Sequence, residues 1–183
     1  MRDTRRVLRL LGLGALLSGV VVAVSMAWVF PGRMTGGGSV FKSDGSEVDS
    51  ATVDNLNRVT HGFELHCGTE TAPPPNPNNL EINWKDSSGG SHKFHLKNLQ
   101  FASCTSDGLS PNPPPADFDK MEGGGTGSVD NVNGGTIYFV LTDHGEPGTS
   151  DTAMFAITDV NGNLALYVPT TPLTFGNQQA HAN

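Results

Sequence analysis

The stretch TDHGEPGTSDT, residues 142–152, holds the densest group of side chains that could do chemistry. It gathers the carboxylates of Asp143, Glu146 and Asp151 around the imidazole of His144. Carboxylate oxygens bind Ca²⁺ or the hydroxyl groups of a ligand, and a carboxylate pair can cleave glycosides when one member has a raised pKa. Long connections often carry such sites, although a solvated turn between strands accounts for the same residues. We take this loop as the candidate polar site.

The six histidines suggest metal chemistry as the alternative. A secreted hydrolase could bind its metal through His61, His66, His92 or His181 together with loop carboxylates. Strand residues an odd number apart point to opposite faces, however, so His61 diverges from His66, and His92 from His95. A zinc site needs three or four converging ligands. The sequence therefore predicts no metal ligands, with His61 and His92 as hydrogen-bonded core or rim residues.

One turn resembles the beginning of a calcium loop. Asp159, Asn161 and Asn163 put oxygen ligands at alternate positions, as an EF-hand loop does. The twelfth position of such a loop is Thr170 here, and the closing bidentate glutamate is missing. Asn161-Gly162 between two apolar runs also predicts a β-hairpin with a type I′ turn, which needs positive φ at both central residues. Calcium stays open as a cofactor, and no other cofactor is predicted.

The N-terminal segment has the features of an export signal. A basic start is followed by an uncharged apolar run at residues 10–30. Small-x-small triplets at 23–25 and 25–27 suit signal peptidase. The run is also long enough to span a bilayer, which needs ~20 apolar residues, so an uncleaved anchor is the alternative. We predict a signal peptide or membrane anchor with a short linker at 1–33, and a single secreted or cell-surface domain at 34–183.

The exported part is strongly acidic. After residue 33 it keeps 6 basic and 17 acidic residues, a net charge of −11. Such a polyanion repels nucleic acid and anionic lipid, so neither is expected as a partner. Contact with a membrane is expected only through the N-terminal segment, if that segment is retained. Carbohydrate or a surface protein is the partner class that remains.

Two cysteines, Cys67 and Cys104, are predicted to form a disulfide because the chain carries an export signal and has no third cysteine. A metal pair or two free thiols are the alternatives. A cysteine held in a disulfide cannot serve as a nucleophile. The chain also has no GxSxG elbow, HExxH motif or Walker loop. We therefore predict no catalytic residues and a protein that is not an enzyme.

Short β-strands are the elements that must position these residues. Apolar and polar residues alternate in HGFELHC (61–67) and LEINW (80–84), which is the period of a half-buried strand. A first strand is predicted around 39–42. TIYFVLTD (136–143) has apolar residues at both odd and even positions, which predicts a central strand covered on both faces.

Irregular and proline-rich segments separate the strands. Between residues 92 and 103 the apolar residues change from even to odd positions, which predicts a bulge or break at Lys97-Asn98. The proline-rich segments 71–79 and 110–118 must run between strands, since proline cannot donate to a ladder. With 23 glycines, 12 prolines and no long helical period after residue 30, the pattern predicts an all-β fold. We expect a single β-sandwich, jelly-roll-like, behind the N-terminal signal or anchor helix.

An ordered series of motifs runs through the exported part, from about Met34 to His181. It comprises TGGGSVF, RVTHGFELHC, PNNLEINW, FHLKNL, PNPPPADFD, GTGSV, VLTDHGEPGTSDTA and GNQQAH. The series resembles the bacterial post-COAP-one domains. That resemblance implies a secreted or surface-attached bacterial β domain with no assigned activity or ligand. The ending departs from the family pattern, which has a histidine where this chain has Gln178, so any ligand role of that histidine is lost. Together these features predict a non-catalytic extracellular module, binding or structural.

Overall fold

The computed structural model describes residues 30–41, 58–69, 72–86, 88–110 and 113–182. Within them the chain forms nine strands and one short 3-10 helix, Gly148–Ser150, after the sixth strand. The strands are β1 (Gly32–Phe41), β2 (Arg58–His66), β3 (Asn79–Lys85), β4 (Ser91–Thr105), β5 (Lys120–Val129), β6 (Val132–Thr142), β7 (Thr152–Thr158), β8 (Leu164–Pro172) and β9 (Phe175–Ala182). The prediction of an all-β fold is confirmed.

The predicted signal or anchor falls outside the described residues except for Phe30. The backbone N–H of Phe30 donates to the carbonyl oxygen of Cys104 at 2.9 Å, which fixes the start of the described chain against β4. β1 begins at Gly32, two residues before the predicted domain boundary at residue 34. In the part of the chain that the structure describes, we find no helix long and apolar enough to cross a membrane.

All nine strands belong to one antiparallel sheet with the order β8-β7-β6-β5-β4-β3-β2-β1-β9. Successive strands from β1 to β8 are neighbours, so the turns of this meander alternate between two ends of the sheet. The tip end carries the β3–β4, β5–β6 and β7–β8 turns, and the base end carries the β2–β3, β4–β5 and β6–β7 connections. The described strands form a single sheet, so the predicted two-sheet sandwich is not confirmed.

The two residues between β8 and β9 join the two edges of the sheet. The N–H of Leu173 donates to the carbonyl oxygen of Asp151, beside β7, at 2.9 Å. The N–H of the next residue, Thr174, donates to the carbonyl oxygen of Ser39, in β1, at 2.8 Å. The chain therefore passes from pairing with β7 to pairing with β1 almost at once. This passage curls the sheet around its own core.

The core follows the predicted period of two. In β2 every second residue from Val59 to Leu65 is buried, and β3 and β7 alternate in the same way. Opposite walls of the curled sheet meet inside, because the ring centroids of His61 in β2 and Phe155 in β7 lie 5.1 Å apart. Burying each large apolar side chain contributes roughly 1.5–3 kcal/mol to folding. One continuous core thus lies inside the curled sheet.

The predicted burial of β6 on both faces is wrong. Ile137, Phe139 and Leu141 are buried, but Tyr138 and Val140 on the other face are only half-buried. Tyr138 belongs to that outer face because its hydroxyl donates to the Glu122 carboxylate on β5. An aromatic ring with a polar end suits a position that is partly buried and partly in contact with water. The apolar residues at both odd and even positions of β6 therefore do not require a covering layer on each face of the strand.

β4 contains the predicted irregularity. Its register with β5 shifts between Leu96 and Asn98, which confirms the bulge at Lys97-Asn98. The bulge brings the β4 backbone close to β5, since a Cβ placed on Gly125 would lie 2.2 Å from the carbonyl oxygen of Asn98. A side chain at this position would overlap with backbone, which cannot move as a flexible side chain can.

We expect Gly125→Ala to lower the free energy of unfolding by about 1–3 kcal/mol, because the new methyl group overlaps the β4 bulge. Gly62→Ala is the matched control, since a Cβ at Gly62 meets nothing within 4 Å. The control should lose no stability, and the reduced freedom of its unfolded chain could even raise it. Urea denaturation of both variants measures the difference, and equal midpoints would contradict the close approach at Gly125.

The predicted hairpin at Asn161-Gly162 is confirmed, but its turn type is not. β7 and β8 are joined there, and the N–H of Asp159 donates to the carbonyl oxygen of Asn163 at 2.8 Å. Gly162 has a positive φ of 81°, whereas Asn161 does not. The backbone that a type I′ turn requires occurs instead between β5 and β6, where residues 130 and 131 have φ values of 51° and 67°.

Cys67 and Cys104 lie at disulfide distance, as predicted. Their Cα atoms are 5.7 Å apart, and both side chains are buried. The bond links the end of β2 to β4 at the base end. Both proline-rich segments run between strands there, as predicted, in the β2–β3 and β4–β5 connections.

Candidate functional site

The predicted polar loop joins β6 to β7 at the base end, and its four side chains do not share one surface. Asp143 and Asp151 are 5% and 0% exposed, whereas Glu146 is exposed and His144 is half-buried. A ligand arriving from solvent therefore reaches only half of the predicted set. The burial of two carboxylates requires partners for them inside the fold.

The partners of Asp143 and Asp151 are backbone amides on the outer edge of β9. Consecutive residues of a strand direct their N–H groups to opposite edges, so Gln178 and Ala180 point theirs to the same edge, away from β1. The N–H of Ala180 donates to Asp143 Oδ2 at 2.8 Å, and the N–H of Gln178 donates to Asp151 Oδ2 at 2.7 Å. The two carboxylates thus take the place that a neighbouring strand would fill.

The second oxygen of each carboxylate is also occupied. Asp143 Oδ1 accepts from the N–H of Gly145, and Asp151 Oδ1 accepts from the N–H of His144, each at 2.9 Å. Burial raises the pKa of Asp151 to about 6, against the opposing effect of its two amide donors. Asp143 adds to the rise through its charge. We infer that these two carboxylates hold the β6–β7 loop and β9 together.

His144 and Glu146 tie the loop to its neighbours. His144 Nε2 lies 3.2 Å from Asp107 Oδ2 in the β4–β5 connection. Glu146 Oε1 accepts from Asn177 Nδ2 of β9 at 2.7 Å. That the loop binds calcium or a hydroxyl-bearing ligand stays a prediction.

A groove of about 730 Å³ lies beside this loop. Residues 113–116 form one wall, and 179–182 of β9 form the other. Its polar side chains contact one another or a neighbouring strand: Gln179 Nε2 lies 3.4 Å from Glu146 Oε1, and His181 Nε2 lies 2.9 Å from the hydroxyl of Thr35. The groove therefore offers a proline-rich wall but few polar groups that are not already engaged.

The core holds a polar pair that the sequence did not predict. His61, expected as a core or rim residue, is 5% exposed, and Gln178 is 0% exposed. Gln178 Nε2 lies 3.5 Å from His61 Nε2 and 3.4 Å from the carbonyl oxygen of Thr152. Burial lowers the pKa of His61 to about 4, so the ring is neutral at physiological pH. Its other nitrogen, Nδ1, has no hydrogen-bond partner among the described residues.

The histidines proposed for a metal lie in different parts of the molecule. His61 is in the core, His66 at the base end of β2, His92 at the tip end, and His181 at the groove beside β9. Among the described residues, no group of three or more His, Cys, Asp or Glu side chains is arranged to hold a metal ion. The folded chain thus does not bring the proposed ligands together.

Asp159 closes its own turn. Its Oδ1 accepts from the backbone N–H groups of Asn161 and Asn163 at 2.8 and 2.9 Å, and its Oδ2 accepts from Asn163 Nδ2 at 3.1 Å. The bond from the Asn163 side chain is the main reason that the pKa of Asp159 lies below its ordinary value. Thr170, the twelfth position of the calcium pattern, lies in β8. Both carboxylate oxygens of Asp159 therefore take part in the hairpin turn.

A second cleft, of about 560 Å³, opens at the tip end. The cleft is lined by aliphatic side chains that are unusually exposed for their type, with carboxylates around them. We name this surface the tip cleft. The aliphatic residues are Val132, Val160 and Leu164, which are 56%, 52% and 38% exposed, and the carboxylates are Asp86, Asp130 and Asp159. Adjoining exposed apolar side chains with a polar rim are a surface feature that marks interaction sites.

Two carboxylates at the rim of the tip cleft, Asp86 and Asp159, stay ionised at neutral pH. The pKa of Asp86 is held well below its ordinary value, chiefly by the hydrogen bond from the Ser88 hydroxyl and then by His92. The pKa of Asp159 is lowered as well. The cleft therefore combines apolar contact area with negative charge.

Sequence reasoning missed this cleft because its residues come from separate hairpins. Val132 follows the β5–β6 turn, whereas Val160 lies in the β7–β8 turn and Leu164 begins β8. A signal was available, since Asp86, Asp130 and Asp159 each stand at the start of a tip turn. Only the strand order shows that these turns share one end.

No family model matches the chain, and neither a curated protein nor a solved structure gives a significant match.

Proposed function

We propose that the protein is a non-catalytic, exported binding module that holds its partner in the tip cleft. The observation that supports this most is the adjoining exposure of Val132, Val160 and Leu164 inside an acidic rim. A cluster of aliphatic side chains in water is costly for a domain that has no use for it. The two buried carboxylates of the predicted polar loop, Asp143 and Asp151, by contrast accept from backbone amides.

The partner that suits this cleft is a protein segment with aliphatic side chains next to lysine or arginine. The net charge of −11 after residue 33 favours a cationic partner. Each exposed ion pair at the rim contributes only ~0.2–1 kcal/mol, so the charges orient the partner and apolar contact supplies most of the affinity. Carbohydrate is less suited, because Trp84, the one tryptophan that lines the cleft, is only 3% exposed.

The direction of the chain suits presentation away from a membrane. The described chain enters at the base end, where Phe30 bonds to Cys104. A retained anchor before Phe30 would thus leave the tip cleft facing outward. The proposal includes three expectations from the sequence. The chain is exported, it resembles the post-COAP-one domains, and the opposite walls of its sheet pack in a sandwich-like way.

A random peptide library tests the proposed function, with the full-length chain as bait. We expect enrichment of peptides that combine Lys or Arg with Leu or Ile. Val160→Glu should weaken the binding of an enriched peptide at least tenfold, which corresponds to ~1.4 kcal/mol. Isothermal titration with one synthetic enriched peptide measures the change.

Leu109→Glu is the matched control, because Leu109 is a 73% exposed aliphatic residue in the β4–β5 connection at the base end. It should bind the same peptide as well as the unmodified chain does. Failure to enrich any peptide would contradict the proposal, as would binding that Leu109→Glu weakens and Val160→Glu leaves intact. Selective binding on a glycan array that Val160→Glu does not affect would favour carbohydrate instead.

A further inference from the structure

The imidazole of His92 lies between carboxylates from two different turns at the tip end. Its Nδ1 is 2.7 Å from Asp130 Oδ2, and its Nε2 is 3.2 Å from Asp86 Oδ2. An ionised carboxylate can only accept a hydrogen bond, so each ring nitrogen must carry a proton to satisfy both contacts. The observed geometry is therefore that of an imidazolium with two charged partners.

Both carboxylates are fixed independently of His92. Asp86 Oδ1 accepts from the backbone N–H groups of Ser88 and Gly90 at 2.9 and 2.7 Å, which closes the β3–β4 turn. Asp130 Oδ1 accepts from the backbone N–H of Lys93 at 2.9 Å. The imidazolium consequently joins a β3–β4 turn that is closed without it to an Asp130 that is already bound to β4.

The surroundings of His92 are mixed in charge. Trp84 faces it from β3, with ring centroids 5.5 Å apart and planes inclined by 23°. Asp159 of the β7–β8 turn lines the tip cleft together with His92. Arg58 and Lys85 line a neighbouring cleft that Trp84 and His92 also line. Trp84 is thus covered in part by a side chain whose contacts depend on a proton.

We propose that His92 is a proton-operated clamp that holds the β3–β4 and β5–β6 turns together along one wall of the tip cleft, closed when protonated and released on loss of a proton. This inference goes beyond the proposed function, because it concerns the shape of the cleft and requires no bound partner. A partner that prefers one state would, however, bind with an affinity that depends on pH.

Release follows from the hydrogen-bond inventory of a neutral imidazole, which keeps one N–H. The shorter contact, from Nδ1 to Asp130, retains the proton, and the proton on Nε2 passes to water. Nε2 then presents a lone pair to Asp86 Oδ2, so two acceptors face each other and must separate. The β3–β4 turn moves as a unit, because Asp86 Oδ1 still closes it, and Trp84 becomes more exposed.

The direction of the pH dependence is fixed by the sign of the shift. The hydrogen bond to Asp130 raises the pKa of His92 above its ordinary value of 6.5, with a further contribution from Asp86 and opposition from burial. A pKa higher in the folded than in the unfolded chain means that the clamp contributes fully below about pH 6.5. Its contribution is lost as the pH rises through the folded value. The clamp therefore opens on the alkaline side.

Two titrations of the full-length chain test the clamp. NMR follows the Cε1 proton of His92, and fluorescence follows Trp84 in a Trp28→Phe background, which removes the only other tryptophan. We expect the His92 midpoint to lie above 6.5 and the Trp84 signal to titrate with the same midpoint. Trp84 emission that stays constant from pH 5 to 9, or a His92 midpoint at or below 6.5, would overturn the proposal.

Variants separate the two contacts. Asp130→Asn should lower the His92 midpoint more than Asp86→Asn does, because the Asp130 contact is shorter and is the larger cause of the rise. Glu81→Gln is the matched control, since Glu81 pairs loosely with His95, at 3.8 Å, on the same two strands. It should leave the His92 midpoint unchanged. A midpoint that responds equally to all three substitutions would reveal general surface charge in place of a clamp.

Discussion

Asp143→Ala should lower the free energy of unfolding by about 3–5 kcal/mol, more than almost any other change of one polar residue in this domain. The carboxylate accepts from Ala180, a buried residue on the outer edge of β9, and from Gly145 within its own loop. Hydrogen bonds to a charged acceptor are worth ~1.5–3 kcal/mol each, and a buried amide left without an acceptor loses its partner without regaining water. Urea denaturation at neutral pH measures the loss.

Asp117→Ala provides the control for Asp143→Ala. Asp117 is an exposed aspartate at the same end of the sheet, so its removal should change stability by less than ~0.5 kcal/mol. Asp143→Asn should fall between the two, because the amide keeps one acceptor oxygen and turns a donor toward the other N–H. Equal stability of Asp143→Ala and Asp117→Ala would show that β9 does not depend on this carboxylate.

Removal of the disulfide should cost roughly 4 kcal/mol. Cys67 and Cys104 are 37 residues apart in sequence, and on the chain-entropy account a crosslink that closes a loop of this length restricts the unfolded chain by about that amount. The double variant Cys67→Ala with Cys104→Ala should unfold at a much lower urea concentration than the oxidised protein.

The reduced, unmodified chain separates the crosslink from packing in the disulfide experiment. It keeps both sulfur atoms, so it should lose most of the stability that the double alanine variant loses. A reduced chain as stable as the oxidised one would contradict the expected contribution of the bond. A double variant far less stable than the reduced chain would assign the loss to the two buried side chains instead.

Local features of the fold were predictable because residues close in sequence determine them. The shift of apolar residues from even to odd positions near Lys97 predicted the bulge or break that is found there, and His61, predicted as a core or rim residue, is in the core. The disulfide was predictable because the chain has two cysteines behind a predicted export signal. The hairpin at Asn161-Gly162 followed from turn chemistry, although its backbone differs from type I′ and that geometry occurs at Asp130-Asn131.

Features that depend on distant residues could not be predicted. Asp143 lies 37 positions from Ala180, whose N–H it accepts, and no local pattern shows that β9 pairs with β1. The sequence therefore made the loop look like a binding site, whereas two of its carboxylates stabilise the closure of the sheet. The tip cleft was missed for the same reason, since its aliphatic residues adjoin only through the strand order.

The central claim is that Asp143 and Asp151 accept the hydrogen bonds from β9 that a neighbouring strand would otherwise accept. Hydrogen exchange at two backbone amides of β9 tests this claim most directly. We predict that the N–H groups of Ala180 and Gln178 exchange within about tenfold of Gln179 and His181, which face β1, since all four amides are hydrogen-bonded. Asp143→Ala should accelerate the exchange of the Ala180 N–H far more than that of the Gln178 N–H. Exchange of Ala180 and Gln178 in the unmodified chain at the rate of an open, solvated edge would contradict the account.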